Sequence, residues 1–293
     1  MKKKWIIVPL LAICALVSCS KSDSGNASPN TPRLDSSKCI LTEVDYPYVQ
    51  NMPYYRSSFH FTYDSLKRIT RNETGGSIYL YTYEPGKITS RFYVNSVVDS
   101  NFVGRFVYTL DNNNRVVSKT DASYFKPKNE NDYSRQDRTD YVYDADGYIT
   151  GQKLYAYGTS LWSESKLTYQ NGNLVQRIID HYDIVYKPGT LLGSDTIAYT
   201  YDNMPWLREA NYLYEVLEYG DDMGDITIGK PNKNNVTGIQ LKILPGSRFG
   251  SILYKSIQYN YLLNGPKVEK VTMAATTTNG TINTSIDFKY KCN

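Results

Sequence analysis

The chain has 293 residues, with 33 basic against 29 acidic, two His, four Cys and 29 Tyr. Lys2, Lys3 and Lys4 stand ahead of an apolar run at the amino terminus, so beyond that run 30 basic residues face 29 acidic ones. A near-neutral body excludes a nucleic-acid partner read from the overall pI, and so few His and Cys argue against a zinc centre.

Trp5 to Val17 is an apolar run of 13 residues. A membrane-spanning helix needs roughly 20, so the run suits the core of a secretory signal. It ends in Leu16-Val17-Ser18-Cys19, which resembles the lipobox of bacterial lipoproteins. The resemblance implies that residues 1–18 are removed as a signal peptide and that Cys19 is lipidated, linking the chain to a membrane. Two or more acyl chains hold a protein stably at a bilayer. Ser20 to Lys38 is mostly Ser, Asn, Pro, Asp and Lys. It buries too little to offset chain entropy. Residues 19–38 therefore read as the lipidated Cys and a disordered tether, about 60 Å long when fully stretched.

From Cys39 onward one unit recurs. Its clearest copy is Asp140-Tyr141-Val142-Tyr143-Asp144-Ala145-Asp146-Gly147-Tyr148-Ile149-Thr150. Apolar and polar residues alternate up to Tyr143, four turn formers follow, and alternation resumes: a strand, a tight turn and a strand. Other copies run from Phe59 to Ile69, Tyr79 to Ile88, Phe106 to Val116, Lys166 to Leu174 and Ile257 to Val268. Another begins at Ala198 with its return arm displaced. Asp or Asn opens the turn in most copies, and Gly, where present, supplies φ > 0.

The copies are unevenly spaced: Tyr63 to Tyr83 is 20 residues, Tyr143 to Tyr169 is 26, and Tyr169 to Tyr201 is 32. A solenoid or propeller holds a fixed period, whereas hairpins of unequal arms give an up-and-down meander. Residues 39–293 are thus expected to form one all-β domain. It is a large antiparallel meander of about 14–17 strands, curled into an open or closed barrel-like sheet. Lys126 to Arg138 is polar and reads as a long exposed loop. Residues 204–235 depart from the pattern and read as a short helical or irregular insert plugging one end of the sheet. One strand face is apolar-aromatic (Phe59, Phe61, Tyr63) and the other polar (His60, Thr62). The tyrosines are spread along the strands rather than gathered in girdles, which favours a water-soluble sheet with its apolar face inward over a membrane barrel.

The Tyr-Asp-x-x-Gly-Lys/Arg-Ile/Val unit resembles the YD repeat of RHS proteins, with copies at 63–69, 83–88 and 143–149. Together with the lipobox, it is similar to a Bacteroidota lipoprotein family of unknown function with a porin-like β fold. Tyr201-Asp202-Asn203-Met204-Pro205, then an insert, then Lys233-Asn234-Asn235-Val236 resembles the middle of that family. The copies are degenerate: Ser65-Leu66-Lys67 lacks the Gly, and Leu110 replaces the Tyr. The resemblance brings no catalytic residues with it.

Cys14 leaves with the leader, and Cys39 and Cys292 remain at the two ends of the domain. In an oxidising compartment they are expected to form a disulfide that brings the first and last strands together. No HExxH, GxSxG or P-loop is present, so no catalytic residue, cofactor or metal is expected. His60 and His181 read as structural. Gly220 to Asp225 reads as a solvated acidic loop rather than a calcium site.

Binding has the better case. Trp162 in a short strand, and Trp206 opening the insert beside Tyr212 and Tyr214, are the candidate ligand-binding residues. The expected function is a non-enzymatic, lipid-anchored binding or assembly module at the outer membrane, on its periplasmic or cell-surface side. Its partner would be a glycan or an envelope protein. A carbohydrate-binding or glycan-processing accessory lipoprotein is the alternative, and a hydrolase using two carboxylates stands last.

Overall fold

The structure, a computed structural model, describes residues 39–46, 58–123, 135–207, 228–243, 254–265, 267–278 and 280–292. The expected leader and tether, with Cys19, lie outside these residues, as do Tyr212, Tyr214 and the stretch 220–225. The strands are β1 (Cys39–Asp45), β2 (Phe59–Tyr63), β3 (Ile69–Thr74), β4 (Ser77–Glu84), β5 (Lys87–Val94), β6 (Phe102–Leu110), β7 (Val116–Ser123) and β8 (Arg135–Tyr143). They continue with β9 (Ile149–Ala156), β10 (Ser160–Gln170), β11 (Asn173–Tyr182), β12 (Leu191–Pro205), β13 (Asn234–Lys242), β14 (Tyr254–Asn264), β15 (Lys267–Thr277) and β16 (Gly280–Cys292).

Each strand pairs antiparallel with its neighbours in sequence, and β1 pairs with β16, so the expected meander closes into a barrel of 16 strands. The seam is fixed by register. Cys39 stands opposite Cys292, and the two form a disulfide with a Cα–Cα distance of 3.9 Å. Chain entry at Cys39, the turns after the even-numbered strands and the disulfide share one end of the barrel, here called the entry end. The turns after β3, β5, β9, β11 and β15 lie at the far end.

The apolar phase of the strands points inward. Val44, Phe59, Ile69, Ile239, Ile257, Val268, Val271 and Ile286 are each no more than 1 % exposed. They belong to one continuous core. The outward phase carries ion pairs. Lys289 meets Glu43 at 2.5 Å, Lys270 meets Asp287 at 3.1 Å, Lys153 meets Glu164 at 3.4 Å and Arg138 meets Asp140 at 3.2 Å. The bond to Glu43 raises the Lys289 pKa. A lipid-facing barrel needs an outward apolar band about 25 Å tall, and these ion pairs place charge on the outer faces of β1, β8–β10, β15 and β16. A smaller cluster of Ile78, Tyr93 and Phe102 packs with Leu80 beside the β5–β6 connection.

The repeated unit has a structural meaning at the entry end. The tyrosine toward the end of an even strand donates its hydroxyl to the carbonyl of an inward residue near the start of the strand before it. Tyr83 bonds Ile69 at 2.8 Å, Tyr201 bonds Leu174 at 2.6 Å, Tyr261 bonds Val236 at 2.7 Å and Tyr290 bonds Val268 at 2.9 Å. Tyr63 does the same to Leu41, and Tyr143 to Val116. Leu110 breaks the series at β6.

The aspartate that follows builds the turn. Asp64 Oδ1 accepts the N–H groups of Leu66 and Arg68, and Asp111 Oδ1 accepts those of Asn113 and Arg115. The fourth turn position takes positive φ whatever its residue: 62° at Lys67, 58° at Asn114 and 90° at Gly147. Glycine is therefore the easy choice there but not an obligatory one. Arg68 and Arg115 each bond the aspartate of their own turn, and their guanidinium groups lie 4.3 and 4.8 Å from the ring centroids of Tyr83 and Tyr143.

Two connections differ from expectation. The loop expected over 126–138 gives way to β8 from Arg135 on, and Arg138 pairs with Thr120 and Tyr155. Its inward-phase residues, Asp137 and Thr139, are polar, so apolar alternation could not mark the strand. The insert expected over 204–235 is narrower, because β12 runs through Pro205 and β13 starts at Asn234. Its described part, 228–233, crosses the entry end. Lys230 N–H bonds Gly147 O at 2.9 Å and Lys233 N–H bonds Gly172 O at 2.8 Å, tying the strap to two turns.

Candidate functional site

The inner wall is not uniform. A round barrel of 16 strands is wide enough to leave a channel. Here the inward residues of β13–β16 and β1–β3 are mostly packed shut, whereas Tyr141, Gln152, Leu154, Ser163 and Leu167 on β8–β10 remain half-buried. Several polar inward groups gather in and beside that looser sector, while Asn72 on β3 and Ser90 on β5 are buried elsewhere.

Arg177 on β11 is at its centre. Its Nη2 donates to Gln152 Oε1 on β9 at 2.7 Å and to Ser165 Oγ on β10 at 3.2 Å, and Nε reaches Ser165 Oγ at 3.3 Å. Register brings them together: Ser165 stands opposite Gln152 on one side and Ile179 on the other, and Leu167 stands opposite Arg177. Toward the far end, His181 Nε2 lies 2.8 Å from Asp195 Oδ2 on β12, with side chains only 4 % and 2 % exposed. Thr139 adds a buried hydroxyl on β8. On β7, buried Lys119 extends its ammonium to 4.9 Å from the Phe106 ring centroid.

The chemistry on offer is hydrogen bonding. A guanidinium presents a planar fork of donors. Gln and Ser both give and accept, and Tyr141, opposite Gln152, adds a ring. Among the described residues no group of His, Cys, Asp and Glu could hold a metal ion.

The two candidate tryptophans are not brought together. Trp162 sits near the far-end start of β10, at a bulge between Leu161 and Ser163. Trp206 lies at the entry end, its backbone N–H bonded to Lys233 O at 2.9 Å. Of the two histidines, His60 is on the outer face, 3.7 Å from Glu43, and His181 is inside. Arg177, Gln152 and Asp195 are absent from the expected site. The signal for Asp195 was available: counting back from Tyr199 through Ile197 by twos reaches it on the inward phase.

No protein-family model matches the chain, and no curated protein does. Among solved structures, it is similar to a porin-like protein from Bacteroides vulgatus, with a TM-score of 0.53 at 15 % identity. The match covers 86 % of this chain and 98 % of that one. At that identity the likeness concerns the fold, and the fold implied by the sequence resemblance is the one observed.

Proposed function

We propose that this chain is an exported, lipid-anchored barrel of the outer envelope, acting as a non-enzymatic binding or assembly module. The polar sector around Arg177 is its ligand site. The observation that carries this reading is the polarity of the wall. Charge outside and apolar packing inside suit a barrel held at a membrane by a tether rather than embedded in it. The porin-like fold and the lipobox-like Leu16-Val17-Ser18-Cys19 support an envelope location.

A carbohydrate is the ligand class favoured next, because Arg177, Gln152 and Ser165 offer donors and acceptors beside the Tyr141 ring. Titration calorimetry of the Cys19→Ser chain against neutral and acidic oligosaccharides tests it. Micromolar binding that disappears in Arg177→Ala, and persists in the outward Lys166→Ala, supports the site. Failure of every oligosaccharide to bind removes the carbohydrate reading for that panel and leaves an envelope protein as partner. Anchoring is tested separately: radiolabelled palmitate should enter the wild-type chain and not Cys19→Ser.

A further inference from the structure

The disulfide at the barrel seam has a cation against it. Lys267, the first residue of β15, places Nζ 2.8 Å from Cys39 Sγ and 3.5 Å from Cys292 Sγ. Its ammonium lies 5.6 Å from the Tyr290 ring centroid, and the Tyr290 hydroxyl is itself fixed on Val268 O at 2.9 Å. The two sulfurs are not equivalent. Cys39 is half-buried and nearer the ammonium, whereas Cys292 is exposed.

We infer that Lys267 makes the Cys39–Cys292 disulfide a site of directional thiol–disulfide exchange, in which an external dithiol attacks Cys292 and Cys39 departs as the thiolate. Exchange is faster when the leaving sulfur is the better-stabilised thiolate, and a neighbouring ammonium stabilises one. Access and leaving-group stability therefore select the same direction. The attacking thiolate forms a bond to Cys292 Sγ, and the electron pair of the Cys39–Cys292 bond passes to Cys39 Sγ beside Lys267. The second thiol of the dithiol then attacks its own sulfur in the mixed disulfide and frees Cys292. The dithiol ends as a cyclic disulfide, its two protons are left for the two cysteines, and two electrons have moved.

The site matters because it lies at a thin joint. Among the described residues, β1 shares an extended ladder with β16 but only the pairs Glu43–His60 and Val44–Phe59 with β2. Reduction removes the covalent tie where the barrel closes.

The test uses the oxidised chain, complete from Cys19→Ser onward. Brief exposure to glutathione, acid quenching and peptide mass analysis should find the glutathione mainly on Cys292. Reduction by dithiothreitol should slow about threefold to tenfold in Lys267→Met and recover in Lys267→Arg. Glutathione shared equally between the two cysteines, or placed on Cys39, overturns the direction. An unchanged rate in Lys267→Met overturns the role of the ammonium. The wild-type mass analysis needs no variant, so a poorly folding Lys267→Met leaves the first test intact.

Discussion

The Tyr261 hydroxyl donates at 2.7 Å to the carbonyl of Val236, 25 residues earlier in the chain. Burial pushes the Tyr261 phenol well above the usual tyrosine range, so it stays a donor. The same link at Tyr83, Tyr201 and Tyr290 makes the repeated tyrosine a fastener between paired strands.

Tyr261→Phe keeps the ring and leaves the Val236 carbonyl without this donor. It should cost about 1–2 kcal/mol, read from urea unfolding. Tyr83→Phe, in a separate fastener, should add to it nearly independently. Single variants as stable as wild type would show that the hydroxyl bonds do not contribute, and a double variant no less stable than either single one would show that the two fasteners are not independent.

Stability should fall on the acid side through two turns. Burial alone would raise the Asp64 and Asp111 pKa values, but bonds from the Arg68 and Arg115 backbones and side chains outweigh it and lower both. A carboxylate lowered on folding contributes above its unfolded pKa, about 3.9, and loses that contribution as pH falls through the folded value. Asp64→Asn with Asp111→Asn should therefore cost most near neutrality, and the gap from wild type should close in the acid range. Urea midpoints across pH 7 to about 2 give the comparison. A gap independent of pH would contradict the assignment.

Arg177→Ala should destabilise by about 2–4 kcal/mol, because it strands Gln152 and Ser165 and opens a hole in a polar layer. Arg177→Lys should recover little, since one ammonium cannot reproduce a fork that meets two strands. Thermal melts at fixed pH decide it; full recovery by lysine would reduce Arg177 to a buried charge.

Gly229 and Gly86 share positive φ, 73° and 71°, but differ in surroundings. A Cβ at Gly229 would stand 2.7 Å from Ile149 Cγ1, while at Gly86 nothing lies within 4 Å. Gly86→Ala should cost about 1 kcal/mol of backbone strain. Gly229→Ala should cost clearly more and raise hydrogen exchange in the strap over the entry end. Equal costs would mean the strap yields freely.

Much of the fold was readable because the hairpin unit declares itself locally. Tyr63, Tyr83, Tyr143, Tyr201 and Tyr261 lie at or near the ends of strands, and Asp64, Asp111 and Asp144 open turns, as alternation and turn chemistry require. The strand number fell within the expected range, and Cys39 and Cys292 met at the seam. What resisted was the looser sector. Asp137 and Thr139 obscured the start of β8 because polar inward residues erase the period-two signal. Arg177, Gln152 and Ser165 lie on three strands, and only the final register places them together. Trp162 and Trp206 were both candidate binding aromatics, yet Trp162 near the start of β10 and Trp206 just past β12 stand at opposite ends.

The disulfide also decides how the barrel carries mechanical load. A pull on the chain ahead of Cys39 acts along β1, whose ladder to β2 is short. Cys292 transfers that tension at once into β16, which is laced to β15 from Lys270–Asp287 to Thr277–Gly280. Force enters two strands in shear instead of peeling one away. A barrel hung by its amino terminus would resist detachment with the disulfide closed and yield at lower force once it is open.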